Sequence, residues 1–72
     1  MRYDVEQMER HGVDRGRYPF ASFCMGRGWS GHKTAEAAVR AARRSARAVV
    51  RAAGGGGLPH HFAARTDTGE PV

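Results

Sequence analysis

The chain has 72 residues, 12 Lys+Arg against 7 Asp+Glu, and a formal net charge of +5. With 40% apolar residues and one Cys, it excludes a multidomain enzyme and an internally disulfide-bonded scaffold. No apolar run approaches the roughly 20 residues that a membrane-spanning helix needs.

In chain order, Arg2 to Met8 comes first. Tyr3 and Val5 alternate with Asp4 and Glu6, the period of a half-buried strand. The mixed charges of Met1 to Glu6 do not read as a signal peptide. His11 to Arg17, with two glycines and mixed charge, reads as a turn or loop. Phe20 to Met25 reads as a second strand, with Pro19 at its beginning, where a missing backbone donor is tolerated. Cys24 inside that apolar run reads as a reduced core thiol of a cytoplasmic protein. Gly26-Arg27-Gly28 reads as a hairpin turn, followed by a short third strand from Trp29 to Lys33.

Thr34 to Ala53 is the clearest element, a helix about 30 Å long. Ala, Arg and Glu favour helix, Thr34 suits the N-cap, and Glu36 suits the positive end of the dipole. Arg47 and Arg51 lie near the negative end, and Gly54 to Gly57 stop the helix. At 3.6 residues per turn its residues divide into three sectors. Ala35, Ala38, Val39, Ala42, Ala46, Val49, Val50 and Ala53 form the face expected to pack. Arg40, Arg43, Arg44, Arg47 and Arg51 form the second, with Glu36 at its start. Ala37, Ala41, Ala48 and Ala52, flanked by Ser45, form the third, a smooth surface that suits a homodimer seam or simple helix propensity. Beyond the glycines, Leu58 to Thr66 is ambiguous, with Phe62 able to sit in an edge strand, and residues 67–72 read as a loose tail.

The expected fold is therefore α+β: a small antiparallel sheet of two to four strands with one Ala/Arg-rich helix on one face. Residues 1–66 form one compact domain and residues 67–72 a flexible tail. Its core draws on Tyr3, Val5, Phe20, Phe23, Met25, Trp29, Val39, Val49, Val50, Leu58 and Phe62.

Charge concentrates in the helix segment. Residues 32–57 hold six basic residues and one acid, whereas residues 1–31 hold five Arg and four acids. Arg40, Arg44, Arg47 and Arg51 recur at i, i+4, i+7 and i+11, a row about 16 Å long. Guanidinium groups bind phosphates and carboxylates through paired hydrogen bonds, so the row suits nucleic acid or an acidic protein face. The competing reading is a solvated helix face enriched in Arg by the GC-rich codons of a bacterial or phage genome. Against a plain solvated face, only Glu36 is placed to pair, with Arg40. Arg27, between glycines and beside Trp29, and Lys33 add candidate contacts to the partner or nucleic acid.

The sequence holds no recognisable catalytic motif and implies no cofactor. The four histidines and Cys24 lack zinc-site spacing, and Gly26-x-Gly28 lacks the third glycine of a dinucleotide loop.

In length and element order, with strands at Arg2–Met8 and Phe20–Met25, a helix at Thr34–Ala53 and a strand near Phe62, the chain resembles small phage-encoded anti-CRISPR proteins. That resemblance implies a non-catalytic inhibitor docking on a CRISPR effector complex in a bacterial host, and carries over no residue role. Many such proteins are acidic mimics of nucleic acid, and a charge of +5 departs from that. The run from Trp29 to Ala38 is also similar to the last strand and helix start of three-strand-plus-helix DNA-binding domains of the integrase arm-binding type. That likeness implies a sheet entering the major groove with the helix packed behind it; the charge departs from this pattern, sitting mainly on the helix and leaving only Arg2, Arg10, Arg15, Arg17 and Arg27 for a DNA-facing sheet.

Overall fold

A computed structural model describes residues 2–52 and 62–72. It is an α+β fold of two helices and one three-stranded antiparallel sheet. The elements are α1 (Arg2–Arg10), β1 (Phe20–Cys24), β2 (Gly28–His32), α2 (Ala35–Ala52) and β3 (Ala63–Thr66). The strand order is β2-β1-β3. Phe23 lies opposite Trp29 on β2 and opposite Ala63 on β3.

The expected first strand is instead the helix α1. Val5 and Met8 are three residues apart and share one helical side; Met8 is completely buried, while Tyr3 is 70% exposed. Asp4 in the first turn and Arg10 in the last complement the dipole. Gly12, at φ +79°, ends the helix. Its N–H donates to Glu9 O at 3.0 Å, and the N–H of Val13 donates to Met8 O at 3.0 Å. This is the paired bonding of a Schellman cap, and Val13 packs against the cluster that holds Met8, as such caps commonly do.

Strand alternation gives the sheet two faces. Ala21 and Phe23 point toward α1 with Trp29 and Ala63, and Met8, Ala21 and Trp29 form the buried cluster there. The Phe23 and Trp29 ring centroids are 5.3 Å apart. Ser22 and Cys24 point to the opposite face, covered by α2, whose Ala38 and Ala42 are buried. The small side chains of Ser22, Ala38 and Ala42 are buried at this second layer. Thr34 caps α2 as its position predicts, its Oγ1 accepting the N–H of Ala37 at 3.1 Å.

The core differs in membership from the expected one. Tyr3, Met25 and Val50 are exposed, and Met8, Ala21, Ala38 and Ala42 take their place. Leu58, the glycine run and His60-His61 lie outside the described residues. Residues 67–72, expected as a loose tail, fold back along β3. Thr66 N–H donates to Glu70 O at 2.8 Å, Val72 N–H to Ala64 O at 3.1 Å, and Arg65 bridges Pro71. Asp67 N–H donates to Pro19 O at 2.8 Å, and the Arg15 guanidinium donates to Asp67 O at 2.9 Å while pairing with Glu9. Arg65 pairs with Asp4 at 3.3 Å, joining β3 to α1.

Tyr18 lies directly over Gly31. A β-carbon at Gly31 would stand 2.8 Å from Tyr18 Cβ. Gly31→Ala is therefore expected to cost about 1–3 kcal/mol through overpacking, read as a lowered urea midpoint at unchanged slope.

Candidate anion-binding face of the second helix

The arginine row emerges from helical periodicity on a helix that has already turned its alanines to the sheet. Arg40, Arg43, Arg44, Arg47 and Arg51 are all exposed. The first four, with Ala35, Glu36, Val39 and Val72, line an open groove of about 690 Å³. Arg51 lies one turn beyond Arg47 on the same side. Val72 comes to the groove because the C-terminal segment folds back along β3, a contribution with no local signal in the sequence.

Among the described residues, the ion-paired arginines are Arg15 and Arg65, held by Glu9 and Asp4. The α2 arginines have no carboxylate partner there, and Glu36 does not pair with Arg40. Their charge thus faces solvent beside the apolar side chains of Val39 and Val72.

The other candidates lie elsewhere. Arg27, at the β1–β2 turn, lines a separate cleft of about 240 Å³ with Cys24, Met25, Ser45, Ala48, Val49 and Ala52. This cleft takes up part of the alanine sector, while Ala37 and Ala41 are half-buried. Lys33 is exposed just before the Thr34 cap and lines neither opening.

A polar cluster escaped the sequence reading. Ser22 Oγ lies 3.0 Å from Ser30 Oγ and 2.9 Å from His32 Nε2, and Ser30 Oγ lies 3.1 Å from the same nitrogen. The signal was present as Ser22 on one strand and Ser30 and His32 on the next, but it needs the strand register to be seen. The cluster satisfies the buried Ser22 hydroxyl. Partial burial pushes the His32 imidazole below its usual value of 6.5. The folded chain then binds this proton less readily than the unfolded chain. Its contribution to stability is full above pH 6.5 and is lost as pH falls below it. Urea midpoints at about pH 7.5 and about pH 5 should differ less in His32→Gln than in the wild type.

No protein-family model, curated protein or solved structure matches the chain. Among the described residues, no helix is long and apolar enough to cross a membrane.

Proposed function

We propose that this chain is a non-catalytic binding protein, an inhibitor of the anti-CRISPR kind. It docks through the arginine side of α2 on an effector complex that handles nucleic acid, in the cytoplasm of a bacterial host. The observation that carries this reading is the row of exposed arginines without carboxylate partners among the described residues, on a chain whose Arg15 and Arg65 are paired. Like charges at i, i+4 disfavour a helix, so a row held without counter-charges suits an external anion. The small α+β architecture is compatible with the same reading.

The second reading is a DNA- or RNA-binding module, favoured by a row long enough to meet several phosphates. Docking of the integrase arm-binding type requires a bare sheet face. Here α1 lies on one face and α2 on the other, and β3 follows the helix instead of preceding it. A nucleic acid would therefore have to meet α2.

The test is a binding titration of the chain against purified CRISPR effector complexes and against free duplex. Saturable binding to one complex, tighter than to free duplex, supports the inhibitor reading. Equal or tighter binding to free duplex, with log K falling linearly with log salt, overturns it in favour of the second.

A further inference from the structure

We propose that the groove between α2 and Val72 binds an acidic peptide segment of a partner protein. Such a segment would present carboxylates to Arg40, Arg43, Arg44 and Arg47 and an apolar side chain to Val39 and Val72. The proposal rests on the reading of the α2 arginines as the docking face and names what they receive.

The lining of the groove carries the argument. One wall is cationic, and Ala35, Val39 and Val72 supply apolar surface beside it. A phosphate backbone would satisfy the guanidiniums and leave that apolar surface unused. Sequence-tolerant binding of single strands relies on aromatic platforms for the bases, and among the described residues the groove lining contains no aromatic one. Trp29 and Phe23 are instead packed against one another on the α1 side.

Spacing agrees with the chemistry. Arg40, Arg44 and Arg47 rise along the helix by about 4.5–6 Å per step. Carboxylates one helical turn apart, or two residues apart on a strand, repeat at about the same interval. The volume of about 690 Å³ accommodates several side chains. Glu36 also lines the groove and repels an acid placed beside it. The segment therefore lies with its carboxylates toward Arg40 to Arg47 and a neutral or basic residue next to Glu36.

The test begins with a random peptide library displayed on phage and selected on the full chain. The enriched peptides are then labelled and titrated by fluorescence anisotropy. The expected result is peptides combining Asp or Glu with a large apolar residue. Their affinity should fall at least tenfold in Arg40→Ala/Arg44→Ala and in Val72→Asp, and rise in Glu36→Gln. Val72 is surface-exposed, so its replacement leaves the fold in place, as a thermal melt would verify. Selected peptides that lack acids, or that bind both variants as tightly as the wild type, overturn the proposal. Duplex or single-stranded DNA that binds through Arg40 and Arg44, with no acidic peptide selected, overturns it while leaving the arginine face standing. Peptides and nucleic acids that all ignore Arg40 and Arg44 overturn both.

Discussion

Met8→Ala is expected to remove a large share of the folding free energy and raise the unfolded fraction at 25 °C. Met8 is the one large side chain among the described residues that is fully buried, and it joins α1 to Ala21 and Trp29. Truncating a buried Met costs about 2–5 kcal/mol. A domain of this length starts near the lower end of the roughly 5–15 kcal/mol typical of folded proteins. Ala21 is too small to move into the space, so little of the cavity can collapse. Other ties of α1 to the sheet are weaker, including a 3.4 Å hydrogen bond from Trp29 Nε1 to Gln7 Oε1 and the part-exposed pair of Asp4 with Arg65. Urea unfolding followed by Trp29 fluorescence and far-UV circular dichroism measures the loss, since Trp29 is the only Trp. Met8→Leu, which conserves volume, should cost less than about 1.5 kcal/mol. A loss below about 1 kcal/mol for Met8→Ala would mean that α1 is not part of the cooperative unit.

Arg40→Ala/Arg44→Ala/Arg47→Ala is expected to weaken partner binding by about a hundredfold or more, while stability holds or rises. Each arginine meeting a carboxylate at a partly desolvated interface contributes on the order of 1 kcal/mol or more, and three such losses compound to that factor. Folding responds in the opposite direction. Arg40–Arg44, Arg43–Arg47 and Arg47–Arg51 are like-charge pairs at four-residue spacing, each destabilising a helix by about 0.2–0.5 kcal/mol. Alanine also has the higher helix propensity. An affinity deficit together with an unchanged or raised melting temperature separates a docking face from a structural one. A lowered melting temperature with unchanged affinity would contradict the assignment.

The sequence made α2 legible because independent signals agreed there. Thr34 at the cap, Glu36 in the first turn and continuous helix formers place its start within a residue of that observed. The hairpin from Phe20 to His32 was legible from its glycine turn and the apolar run that precedes it. At α1, Tyr3 and Val5 mimic strand alternation over four residues. The stronger information lay farther along, in Val5 and Met8 on one helical side and in the cap residues Gly12 and Val13. The same oversight hid the core, because Met8 is buried only if this segment is helical. The arginine row was visible from spacing alone. Val72 beside it, the separation of Arg27 and Lys33 from it, and the contact of Ser22 with His32 depend on chain reversals and register.

The most direct measurement is a salt-series titration with duplex and single-stranded DNA and RNA as general polyanion probes, using two variants of equal charge change. Arg40→Ala/Arg44→Ala alters the face; Arg10→Ala/Arg17→Ala removes two exposed arginines elsewhere. If the α2 arginines are the anion-binding face, the first variant loses binding and its salt slope shallows by about 1–2, while the second keeps both near wild type. Equal losses in the two variants would show that net charge alone drives association and would contradict a docking face on α2.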